Sequence, residues 1–175
     1  MTYDIERGNI LVLDTTCSSK RNWPKRADIR LDISPDAKPD VLCDNSKLPF
    51  RDCVFDELYC DPPHAIGSSY SKLFARNPWM ARFSFWKNKQ ELLDWLSDIN
   101  VEFARIMKYN GKLFFKSSNS NKSSGMLDYH WVINSLSNFE LMQDLKIQSK
   151  SFMANIIFKQ HNIRTYTHYM TFRRL

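Results

Sequence analysis

The chain has 175 residues, with 25 Lys and Arg against 19 Asp and Glu and a net charge of +6. Its hydrophobic content of 43% and charged content of 25% are ordinary for a soluble globular protein, and its length provides for one domain, residues 1–175, with a real core. No apolar run reaches the length of a membrane span and no signal-peptide pattern opens the chain, which excludes a membrane protein and points to the cytoplasm, free or associated with nucleoid or ribosome.

In chain order, residues 9–13 are the first apolar run, and it ends in Asp14. Residues 15–24 are a polar loop. Residues 28–33 alternate and end near Asp32. Residues 34–39 hold Pro and Asp and are too short for a long helix. Residues 40–43 are a short strand ending in Asp44, and Leu48-Pro49-Phe50 is a turn. Residues 55–60 form a buried strand that stops at Asp61. Four apolar runs thus end in an acid: Asp14, Asp32, Asp44 and Asp61. Parallel pairing would line all four carboxylates along one edge.

Residues 65–88 are polar, basic and aromatic, and include Tyr70, Lys72, Arg76, Trp79 and Arg82. Residues 89–109 carry helical apolar spacing (Leu92, Leu96, Ile99, Phe103, Ile106), with Asn110-Gly111 as a C-cap signal. Residues 112–116 are the next strand, 117–125 a polar loop and 126–136 a helix. Residues 139–148 and 165–174 alternate as strands, suited to an antiparallel pair at the sheet's end. Cys17, Cys43, Cys53 and Cys60 lack C-x-x-C spacing, so no metal site is expected, and Cys43 and Cys60, inside apolar strand runs, read as free buried thiols in a reducing cytosol.

The sharpest local signal is Asp61-Pro62-Pro63-His64. Neither proline can donate to a ladder, and each fixes φ, so the chain is forced out of the strand. The residue before each proline is held extended. The result is a rigid tetrapeptide at a strand's C-terminal end, where open α/β sheets bind ligands. It presents the Asp61 carboxylate, the Pro62 carbonyl and the His64 ring together.

This tetrapeptide resembles motif IV of the class I S-adenosylmethionine-dependent methyltransferases that modify exocyclic amines. Their pattern is Asp or Asn, Pro, Pro, aromatic; His in the last place is similar to small, phage-type DNA methyltransferase-like proteins. The order of acid-ended strands before it matches motifs I to III, and the resemblance covers nearly the whole chain. It implies an α/β, Rossmann-like class I methyltransferase fold, a mixed seven-stranded sheet with flanking helices. It implies S-adenosylmethionine as cofactor, with Asp14, Thr16, Cys17 and Ser18 in the cofactor loop. By the same resemblance Asp32 takes the ribose hydroxyls, Asp44 and Asn45 meet the adenine, and Asp61 faces the cationic methionine end.

The implied reaction is methyl transfer to adenine N6 or cytosine N4 of DNA or RNA, with Asp61, Pro62 and His64 as the catalytic residues. Pro63, His64, Tyr70, Lys72, Arg76, Trp79, Arg82 and Lys116 would contact the substrate. The basic surplus and the interleaved rings suit nucleic acid, since cations neutralise phosphate and rings stack on bases. One domain leaves no room for a separate recognition domain, which points to low specificity or a specificity-conferring protein partner. The loop departs from the family pattern: residues 14–20 hold no glycine, and Ser18 stands where the first is expected. Serine adopts φ > 0 only at a cost. Two alternatives therefore stand beside the first reading: a non-catalytic methyltransferase-like subunit that binds nucleic acid or protein, and an enzyme acting on a protein or small-molecule amine.

Overall fold

The computed structural model describes residues 10–17, 27–67, 85–120, 126–148 and 165–175. Its elements in order are β1 (Val12–Asp14), β2 (Ile29–Asp32), a 3-10 turn (Pro35–Ala37), β3 (Val41–Leu42), β4 (Phe55–Cys60), α1 (Lys89–Ile106), β5 (Met107–Ser120), α2 (Tyr129–Ser135), β6 (Phe139–Gln148) and β7 (Thr165–Arg174). One seven-stranded sheet runs in the order β3-β2-β1-β4-β5-β7-β6. The first five strands pair in parallel, and β7 lies antiparallel to both β5 and β6. The expected mixed sheet with helices is therefore present.

Burial follows position. β1 and the last three residues of β4 sit centrally and are buried throughout, as strands covered on both faces must be. On α1, Leu92, Leu96, Ile99, Phe103 and Ile106 are fully buried and form one stripe against the sheet. Asn88 caps that helix by accepting from the Glu91 N–H at 2.9 Å. Behind β3, Arg105 donates to the carbonyls of Phe50 (2.7 Å) and Leu48 (3.0 Å) and to Glu102 and Asp52, while Glu102 accepts from the Leu48 N–H. This clamp fixes the loop between β3 and β4 onto α1.

Three boundaries differ from expectation. The helix ends at Ile106, not at Asn110-Gly111, because Met107 leaves it to pair with Phe55. Glu57 next pairs with Lys112, so residues 108–111 bulge out of the ladder. Asn110 takes φ +61° there, and a Cβ on Gly111 would come within 2.8 Å of the Lys108 carbonyl oxygen. Asn-Gly thus shapes a bulge instead of a helix cap. Second, β5 does not stop at Lys116: β7 offers a ladder through Ser120, which absorbs the start of the expected loop. Third, α2 begins at Tyr129 behind its Asp128 cap, since Leu127 donates its N–H to the His64 carbonyl (2.8 Å) and Met126 bridges Ala65.

Candidate active site

Because β1 to β4 are parallel, Asp14, Asp32, Asp44 and Asp61 all lie at one edge of the sheet. Three of them do the same local work. Asp14 Oδ1 accepts from the Thr16 N–H (3.1 Å), Asp32 Oδ1 from the Ser34 N–H (2.9 Å), and Asp44 Oδ1 from the Ser46 N–H (2.8 Å). Each acid caps the turn two residues beyond it.

Asp61 cannot do this, because the residue two positions on is Pro63, which has no N–H. Its carboxylate turns to distant partners. Oδ2 accepts from the Lys116 ammonium at 2.7 Å, and Oδ1 lies 3.1 Å from His64 Nε2. The Asp61 side chain is only 9% exposed. Burial pushes its pKa up, but His64 and Lys116 outweigh that and hold the carboxyl below the ordinary value. Its backbone N–H donates to Thr16 Oγ1 at 2.6 Å. The loop after β1 and the tetrapeptide after β4 therefore form one unit.

That unit is braced from outside. The Trp86 indole N–H donates to the Pro63 carbonyl at 2.8 Å, and Trp86 packs on Trp95 of α1 with ring centres 5.1 Å apart. Ala65, Ile66 and Gly67 pair with Trp86 through backbone hydrogen bonds and a parallel bridge. Trp86 is not among the site residues that the sequence singles out. An indole N–H near a strand end needs an acceptor, and that requirement is its only sequence signal.

Of the loop after β1, Thr15 to Cys17 are described, and Ser18, where the first glycine is expected, is not. Thr15 and Cys17 are buried, and Thr15 Oγ1 donates to the Tyr59 carbonyl at 2.9 Å. None of Thr15, Thr16 or Cys17 has a positive φ, so this part of the loop has no need of glycine. Burial raises the Cys17 thiol to about 11, and it stays neutral. Asp14 is pushed up to about 6: burial dominates, the Thr16 N–H opposes it, and the Asp61 and Asp32 charges add to it. Such an edge is short of positive charge.

The structure brings Asp14, Thr16, Cys17, Asp61, Pro62, Pro63, His64 and Lys116 into or around this unit, with Asp32, Asp44 and Asn45 at the neighbouring strand ends. Asn45 is buried, and its Oδ1 has no hydrogen-bond partner among the described residues. The His64 ring, expected against the substrate, has its Nε2 3.1 Å from Asp61 Oδ1. Ser18, Tyr70, Lys72, Arg76, Trp79 and Arg82 lie outside the described residues. Among the described residues no group of His, Cys, Asp and Glu is arranged to hold a metal, and no helix is long and apolar enough to cross a membrane.

No protein-family model matches the sequence, and no curated protein matches it. Solved structures do. A SAM-dependent methyltransferase from Methanosarcina mazei is 12% identical over 94% of this chain and 92% of its own, with a TM-score of 0.55. A geranyl diphosphate C-methyltransferase from Streptomyces coelicolor A3(2), solved with Mg2+, geranyl diphosphate and S-adenosyl-L-homocysteine, is 10% identical over 95% of this chain and 72% of its own, at 0.59. The fold is that of the class I methyltransferases. The cyclase SpnF shares it too, 12% identical over 95% of this chain and 75% of its own, at 0.56. A fold that serves a C-methyltransferase and a cyclase does not name a reaction, so chemistry must come from the site.

Proposed function

We propose that the chain transfers a methyl group from S-adenosylmethionine to the exocyclic amine of adenine or cytosine in a nucleic acid. The observation that carries this reading is Asp61: two prolines hold it at the sheet edge, its N–H is tied to Thr16, and its buried carboxylate stays ionised. The acidic edge suits the cofactor. The Asp61 and Asp32 charges both disfavour ionised Asp14 there, and a sulfonium and an ammonium would relieve that. When bound, S-adenosylmethionine supplies a methyl group bonded to a cationic sulfur. Asp14 and Asp61 would face its charged end, Asp32 the ribose and Asp44 with Asn45 the adenine, as the class I pattern suggests.

The chain's own part is positioning. A carboxylate has about four acceptor directions, and the described residues take two of Asp61's. The remaining directions and the Pro62 carbonyl would accept from the target amine and aim its lone pair. Positioning and fixed electrostatics of this kind supply much of an enzyme's rate. In a duplex the base must first leave the stack. Pro63 and His64 would wall the pocket, and Tyr70, Lys72, Arg76, Trp79 and Arg82 supply the charge and ring pattern for the strand.

Tritiated-methyl transfer to total DNA and total RNA, followed by nucleoside analysis, tests this reading. Label in N6-methyladenosine or N4-methylcytidine, in ribo or deoxy form, supports it. The glycine-free loop favours a second reading, a non-catalytic subunit that binds nucleic acid or a protein partner. Salt-dependent binding without label would select that one.

A further inference from the structure

The acid of the tetrapeptide does not meet a substrate alone. Cys60 pairs with Phe115, so the next residues, Asp61 and Lys116, stand side by side at the edge of the sheet. The Lys116 ammonium sits 2.7 Å from Asp61 Oδ2, with 22% of the lysine side chain exposed. An ammonium has three donors, and the described residues take one of Lys116's. The pair therefore offers an acceptor and a donor next to each other, and its two charges cancel.

We propose that Lys116 is the specificity-determining residue of this site. Its ammonium donates to a ring nitrogen conjugated to the target amine, adenine N1 or cytosine N3, while Asp61 accepts from the amine itself. This rests on the methyl-transfer reading above and narrows the substrate to neutral, conjugated amines. As the nitrogen–methyl bond forms, the sulfur–methyl bond breaks with its electron pair left on the neutral thioether, and the nitrogen sheds one proton to water. Such amines are uncharged near pH 7, need no deprotonation before attack, and carry an acceptor beside the amine. An alkylamine is a cation at that pH. Asp61 is already paired with Lys116 and contacted by His64, so it is a poor base for deprotonating such a cation.

The test uses single-stranded oligonucleotides with one target base: adenine or 1-deazaadenine, and cytosine or 3-deazacytosine. The deaza bases keep the amine and replace the ring acceptor with C–H. The native chain is expected to lose about ten- to a hundredfold in kcat/KM on the deaza base, the usual worth of a hydrogen bond to a charged group. Lys116→Met should be slow on both and unable to tell them apart. Equal rates of the native chain on parent and deaza bases overturn the inference, as does continued discrimination by Lys116→Met. Faster methylation of a lysine peptide than of the oligonucleotides overturns it as well. Should Lys116→Met fail to fold, the native comparison decides by itself. If the native chain methylates none of these probes, the methyl-transfer reading falls and takes this inference with it.

Discussion

The Asp61 backbone N–H and the Thr16 hydroxyl meet at 2.6 Å, joining the tetrapeptide after β4 to the loop after β1. The residue proposed to position the target and the loop proposed to hold the cofactor are thus mechanically one piece. Thr16→Val removes the acceptor while keeping the shape. It should weaken cofactor binding and lower turnover together, each by about fivefold, the worth of roughly 1 kcal/mol. Thr16→Ser should restore most of both. Calorimetry and initial rates on the same preparations check this, and loss of one without the other would separate the two halves of the site.

Asp14 sets a pH dependence. Its carboxyl lies at about 6 in the folded chain against an ordinary 3.8, chiefly through burial. The folded state therefore binds the proton more tightly than the unfolded one. Stability falls as pH rises from about 4 to about 6, and the full burden, roughly 3 kcal/mol, is present above that. Asp14→Asn should raise the melting temperature near pH 7.5 and leave it unchanged near pH 4. A cationic ligand favours the ionised acid, so native affinity for S-adenosylmethionine should climb as pH passes through about 6. The Asp14→Asn profile should be flat.

The Arg105 clamp carries stability and not chemistry. Arg105 holds the Leu48 and Phe50 carbonyls together with Glu102 and Asp52, and none of these contacts includes Asp61, His64 or Lys116. Arg105→Met should cost about 1–3 kcal/mol in denaturant unfolding by leaving those acceptors short of a donor. Turnover per folded molecule should stay near native.

Much of this site is legible in the sequence because strand ends announce themselves. A run of apolar residues closing on an acid places Asp14, Asp32, Asp44 and Asp61 at one edge, and the two prolines mark the last as different. The absence of an N–H at Pro63 also means that Asp61 needs partners elsewhere. Which partners it finds is not legible. Lys116 lies 55 residues away, and only the Cys60–Phe115 register makes it a neighbour. Trp86, expected within a basic-aromatic segment, instead braces Pro63, an interaction that no local pattern specifies. The bulge at residues 108–111 escapes a local reading for a similar reason. Asn-Gly supplies a left-handed turn either at a helix end or within a ladder, and the tertiary pairing of Met107 with Phe55 decides between them.

The basic-aromatic segment gives a prediction from its charges alone. Replacing Lys72, Arg76 and Arg82 with Ala should flatten the salt dependence of nucleic-acid binding, by about one unit of slope for each phosphate no longer neutralised. Titrations across a salt series check it. An unchanged slope would assign those cations to some other task.

Turnover of native protein, Asp61→Asn and Asp61→Ala, normalised to folded molecules, shows whether Asp61 positions the target amine. Asn keeps a carbonyl oxygen for the target amine, whereas Ala removes the acceptor and leaves Lys116 without its partner. The expected order is native, then Asn, then Ala, with Ala down by on the order of a hundred- to a thousandfold and cofactor binding affected far less. An Asp61→Ala protein that melts earlier yet turns over at the native rate would show that Asp61-Pro62-Pro63-His64 is only a turn, and would contradict the account.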